Sequence, residues 1–118
     1  MTLGDFLKEA GSDRSPWNCS TLAADWCMSQ GYPDFASRWR EVVGNECEAV
    51  DLLPLWESDI GDGLPLCDGS QAGDIAVIRV IGFTIGAIFT GNKWAIKTPK
   101  GLFFIPTDHA ILLKAWRP

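Results

Sequence analysis

At residue 75 the sequence changes its period. From there to the C-terminus it is a series of β-branched and aromatic runs, residues 75–81, 83–90, 93–98, 102–105 and 110–116, broken by Gly82, Gly91-Asn92, Pro99-Lys100-Gly101 and Pro106-Thr107-Asp108. Short runs of this kind with turn residues between them are strands joined by tight hairpins, so the segment predicts an antiparallel meander of about five strands. Before residue 75 the apolar residues recur at helical spacing instead. Thr2 caps a short helix, with Asp5 in its first turn and Leu3, Phe6, Leu7 and Ala10 on one face before Gly11. After loop residues 11–18, Asn18 is placed to cap a second helix, in which Cys19, Leu22, Ala23, Trp26 and Cys27 form one stripe before Gly31. Asp34 opens a third helical pattern with Phe35, Trp39 and Val42. A weaker one, Cys47, Val50 and Leu53, stops at Pro54, and residues 57–73, rich in Gly, Asp and Ser, read as a long surface connection.

Helices first and strands afterwards predict an α+β fold, with the second helix laid on one face of the sheet. A chain of 118 residues has room for one core, so a single domain is expected: a helical part over about 1–56, a connection over about 57–73 and a sheet part over about 74–118.

Charge excludes one class of partner. Fifteen acidic against ten basic residues give a net charge of -5, the wrong sign for coating phosphate backbones, so nucleic acid is not an expected partner. The charge is also unevenly distributed: residues 1–74 hold 14 acids and 4 bases, whereas residues 75–118 hold 1 acid and 6 bases. Lys93, Lys97, Lys100 and Lys114 are read as solubilising strand edges, with a basic surface for an acidic partner as the alternative. The N-terminus lacks a basic region followed by an apolar core, so no signal peptide is expected and the protein should be cytoplasmic on synthesis. Residues 75–91 are apolar but interrupted by Arg79 and Gly82 at strand-like spacing, which argues against a membrane span. A lone histidine, His109, and four cysteines, Cys19, Cys27, Cys47 and Cys67, without a Cys-x-x-Cys pair support neither zinc nor another metal, and no cofactor is implied.

A cysteine in the first turn of a helix, facing an antiparallel sheet, has a chemical consequence. The free N–H groups and dipole at the helix start favour the thiolate, and a base on the facing sheet can take the proton. Asn18-Cys19-Ser20-Thr21-Leu22 resembles the Asp-Cys-Ser-Gly-Phe nucleophile motif of the NlpC-type cell-wall cysteine peptidases, a branch of the papain-like superfamily. Ala72-Gly73-Asp74-Ile75-Ala76-Val77-Ile78 resembles their Gly-Asp-Leu strand. Asn18-Cys19 together with Ala23-Ala24-Asp25-Trp26, Gly31, Gly73-Asp74-Ile75-Ala76-Val77, Gly101-Leu102 and Ala115-Trp116-Arg117 is similar to a family of small proteins encoded among phage and prophage tail genes. These resemblances imply a compact papain-like fold, other phage tail or assembly proteins as partners, peptidoglycan as a further candidate ligand, and a phage particle as a destination.

The same resemblance shows where this chain departs from the peptidases. Their next strand opens on a histidine, His-Val-Gly-Ile-Tyr in outline; here the segment is Thr84-Ile85-Gly86-Ala87-Ile88, and a threonine hydroxyl cannot accept a thiol proton near neutral pH. His109, after the Pro106-Thr107-Asp108 turn, is the remaining candidate base. Cys19 is thus a packed structural thiol, a thiolate relic without turnover, or the nucleophile of a working enzyme. Asp25 is expected to pair with Arg38 or Arg40 and tie two helices together, with Trp26 and Trp39 in the core. Asp74 is expected to cap a turn. The reading is a catalytically degenerate papain-like domain serving a phage or prophage tail module through protein contacts. Its alternatives are an active peptidoglycan endopeptidase or amidase and a cell-wall or partner-binding module using the former cleft.

Overall fold

The N-terminal helix α1 (Leu3–Ala10) starts where the sequence places it: the Thr2 hydroxyl accepts the Asp5 N–H at 3.2 Å, satisfying one of the donors that a helix start leaves free. The structure is a computed structural model that describes residues 1–11, 21–37, 52–98 and 100–118. Helix α2 (Leu22–Ser29) has Thr21 as its N-cap residue in place of the expected Asn18, so its first turn begins at Leu22 and not at Cys19; its first intrahelical bond runs from the Asp25 N–H to the Thr21 carbonyl at 2.9 Å. Residues Leu22 to Cys27 of α2 are all buried, so this helix lies inside the molecule.

Cys47 and Val50 of the weak helical pattern lie outside the described residues, and the helix that includes Leu53 does not stop at Pro54. Helix α3 (Leu52–Ile60) holds Pro54 in its first turn, where the missing N–H would have had no intrahelical partner, and it buries Leu52, Trp56 and Ile60 along one stripe. The surface connection accordingly begins at Gly61 rather than at residue 57. It also contains a short strand, β1 (Leu66–Cys67). The other strands follow the sequence pattern closely: β2 (Ile75–Val80), β3 (Phe83–Phe89), β4 (Lys93–Thr98), β5 (Gly101–Pro106) and β6 (Ile111–Trp116).

These make one six-stranded antiparallel sheet in the order β1-β6-β2-β3-β4-β5. A simple meander would have put the last strand beside β5. Instead β6 pairs with β2, Trp116 opposite Ile75 and Ile111 opposite Arg79, with a bulge between Val77 and Ile78. That pairing forces curvature. In a flat sheet β5 and β6 would stand four strand spacings apart, about 19 Å. Pro106 and Ile111 would also lie at opposite ends of it, since Pro106 pairs with Lys93 and Ile111 with Arg79. The five residue steps between them reach at most ~18 Å, and part of that length is taken up by a 3-10 turn at Thr107–His109. The sheet therefore coils on itself, in the direction of its natural twist.

Coiling gives each face its own core. Ile75, Val77, Ile88, Ala95 and Trp116 pack beneath the three helices with Phe6, Leu22, Trp26, Leu52 and Trp56. Ala76, Ile78, Ile85, Ala87, Phe89, Trp94, Ile96 and Ala115 pack against one another inside the coil, with no helix among them. The three central strands are thus apolar on both faces, the pattern of doubly covered sheet. Among the described residues no helix is long and apolar enough to cross a membrane.

Two of the lysines read as edge solubilisers do something else. Lys97 is 5% exposed on the helix-facing side of β4, and its ammonium donates to the Ala10 carbonyl at 2.8 Å, placing a cation on the C-terminal end of α1. Lys114 bonds Glu57 of α3 at 2.8 Å and lies 5.7 Å from the centre of the Trp116 ring, so it joins α3 to β6.

Candidate functional site

Of the residues singled out in the sequence, Cys19, Arg38, Trp39 and Arg40 lie outside the described residues, as does Cys47. Thr84 is on β3 opposite Arg79. Alternation along β3 puts it on the same face as Ile88, the face the helices cover, while Ile85, Ala87 and Phe89 point into the coil. His109 ends the 3-10 turn with its side chain 70% exposed, and its Nδ1 lies 3.9 Å from the equally open Asp108 carboxylate. Arg79 pairs with Thr84 on one side and Ile111 on the other, so the sheet brings Thr84 and the His109 turn to the same end, two strands apart. Asp25 is only 6% exposed. Trp26 is buried as expected: its ring packs 5.4 Å from that of Phe6 and its indole N–H donates to the Gly73 carbonyl at 2.9 Å.

The most organised polar group is at the other end of β2. Asp74 is fully buried at the strand entrance, and Arg117, just beyond the end of β6, grips it with two bonds, Nε to Oδ1 at 2.8 Å and a terminal nitrogen to Oδ2 at 2.9 Å. Oδ2 also accepts the Gln71 N–H at 2.9 Å, so the turn cap expected of Asp74 is present. Arg117 reaches Asp68 as well, at 3.3 Å, and its own N–H donates to the Pro65 carbonyl at 3.0 Å. Burial pushes the Asp74 carboxyl toward protonation, but the Arg117 guanidinium, the Gln71 N–H and a hydrogen bond with the Cys67 thiol outweigh it and hold its pKa below the usual value. Bonded to Asp74, Arg117 is in turn raised above its already high value.

Gly73 completes this knot. Its φ of +95° is a conformation that favours glycine, a side chain there would meet the Trp26 indole at 3.5 Å, and its N–H bonds the Phe89 carbonyl at 2.8 Å. Trp26, the adjacent Gly73 and Asp74, and Arg117, which fall in three separate motifs of the sequence, are therefore one interlocked cluster. Its chemistry is that of a clasp, since both oxygens of Asp74 are engaged by the protein itself.

The thiols that can be placed are quiet. Cys27 is fully buried and burial pushes it up to about 12. Cys67 is raised chiefly by burial, with the neighbouring Asp74 charge adding to it against a backbone bond from Gly69. A gap of about 10 Å³ with an apolar lining lies between Ala23, Ala24, Phe35, Trp56, Ile60 and Ile75, and a larger groove of about 590 Å³ runs between Glu57, Leu64, Lys114 and Trp116. Among the described residues no group of His, Cys, Asp and Glu is arranged to hold a metal.

Comparison with protein-family models, with curated proteins and with solved structures found no match for this chain.

Proposed function

We propose that this is a catalytically inert papain-like domain, related to the NlpC-type peptidases, that serves a phage or prophage tail module through protein contacts. The observation that carries the reading is Thr84. The resemblance assigns this position to the catalytic imidazole, and alternation along β3 turns it toward the helix layer. A hydroxyl at that place cannot take the thiol proton at neutral pH. His109 is a poor substitute, because it stands on an open turn with Asp108 as its neighbour, where water competes for every proton it would transfer.

The clasp fits the same reading. Four of the motif residues, Trp26, Gly73, Asp74 and Arg117, link the end of β6 to the start of β2 and to α2, a role in holding shape. A domain that keeps its architecture while losing its base is suited to presenting surface. The test is mass spectrometry of purified tail particles from the phage or prophage that encodes the chain. The protein should be present in stoichiometric ratio to a tail component; its absence from particles and from assembly intermediates would overturn the assignment.

A further inference from the structure

Among the described residues the sheet ends on one side at β5, which is bonded there to β4 alone. Its six residues, Gly101-Leu102-Phe103-Phe104-Ile105-Pro106, carry no charge, although edge strands of monomeric proteins ordinarily carry one to discourage pairing. Leu102 and Ile105 pack against the two cores, while Phe103 and Phe104 point to opposite faces and remain 45% and 47% exposed. We propose that β5 pairs antiparallel with β5 of a second copy of this chain, about a two-fold axis at Phe104, to give one continuous sheet across a homodimer. The proposal stands on this edge and does not depend on the function proposed above.

Backbone geometry allows this pairing. Pro106 has no N–H and on an edge strand its nitrogen faces away from the ladder, so alternation also directs the N–H and C=O of Phe104 and Leu102 to the open side. With the axis at Phe104, the two Phe104 residues exchange both of their bonds, and each Leu102 N–H meets the Pro106 carbonyl of the other copy. Phe103 then lies beside Ile105 of the second copy on the opposite face, so both half-exposed aromatics become covered.

Charge selects the second copy as the occupant. The same register brings Lys100, just before each β5, alongside the 3-10 turn that carries the exposed Asp108 of the other copy. Lysine and aspartate are thus matched at both ends of a self-pairing strand that is otherwise neutral. At the opposite edge of the sheet β1 is two residues long and offers β5 too short a partner. A β5–β5 contact uses the same strand of both copies, so it closes as a two-fold dimer.

The test is sedimentation equilibrium of the full chain under reducing conditions, across micromolar to millimolar concentration. The wild type should rise from the monomer mass of 12.9 kDa toward twice that value. Phe104→Lys, which sets two ammonium groups face to face at the axis, should abolish the rise. Lys100→Glu and Asp108→Lys, both at exposed positions, should each raise the dissociation constant about tenfold, and the double exchange should restore it. A chain that stays monomeric throughout, or a dimer indifferent to Phe104→Lys, or single exchanges that the double exchange does not rescue, would overturn the proposal.

Discussion

Arg117 holds Asp74 with two parallel hydrogen bonds of 2.8 and 2.9 Å, and this pair fastens the last residues of the chain to the entrance of β2. The contact exists because β6 runs antiparallel to β2, so the end of one meets the beginning of the other. Asp74 is fully buried, so its charge depends on this partner.

Replacing Asp74 with Ala should cost about 1–3 kcal/mol, because the Gln71 N–H and the guanidinium both lose their acceptor. Arg117→Ala should be the more damaging change, since it leaves a buried carboxylate without its cation. Urea unfolding of the two variants beside the parent checks both the size and the order of the effects.

The pH dependence has a definite sign. The Asp74 carboxyl has a lower pKa in the folded chain than in the unfolded one, so its stabilisation is complete above the unfolded value of about 3.9 and is lost as pH falls through the lower folded value. Asp74→Asn should lower the thermal midpoint at pH 7 and make it less sensitive to acid below about pH 4. Parallel midpoint curves for variant and parent would contradict the role given to the pair.

Lys97→Met keeps the apolar stem but withdraws the cation from the Ala10 carbonyl. It should destabilise the fold by about 1–2 kcal/mol and speed amide exchange in the last turn of α1. An unchanged exchange pattern in α1 would show that the ammonium does not hold that helix end.

Ile81 occupies the β2–β3 turn at φ 51°, followed by Gly82 at φ 81°, and is 91% exposed. Positive φ at both central residues is the type I′ turn, which suits Asn-Gly and penalises a β-branched residue. Ile81→Asn should therefore raise stability by about 1 kcal/mol, read from the urea midpoint.

Much of this architecture was legible in the sequence. The strand runs from residue 75 onward and the Thr2 cap could be read directly, because turn residues and capping side chains act locally. The position of β6 could not. Nothing in residues 111–116 says whether they pair with β5 or β2; that depends on the coil of the whole sheet. Without the β6–β2 pairing nothing in the sequence joins Asp74 to Arg117. Pro54 suggests the end of a helix, whereas the Leu52, Trp56, Ile60 spacing that continues past it is the better signal for α3. Lys97 looked like a surface lysine because its burial is set by α1, more than eighty residues away. The doubly buried strands had left a trace in the near-continuous apolar run of residues 75–78.

Thiol reactivity should follow the electrostatics. At pH 8, Cys27 should resist iodoacetamide in the folded protein, and Cys67 should react slowly but faster in Asp74→Asn, because the carboxylate that helps suppress its thiolate is gone. Peptide mass spectrometry after timed alkylation reads both sites. Equal rates at Cys67 in variant and parent would separate it from Asp74.

The proposed inertness is most directly tested by incubating the purified chain with peptidoglycan and quantifying released muropeptides and free amino groups. Under the proposed reading, parent, Cys19→Ala and His109→Ala should be indistinguishable from buffer, because a hydroxyl at residue 84 cannot take a thiol proton near neutral pH. Cleavage by the parent that is lost in both Cys19→Ala and His109→Ala would contradict the account and identify a working cysteine hydrolase.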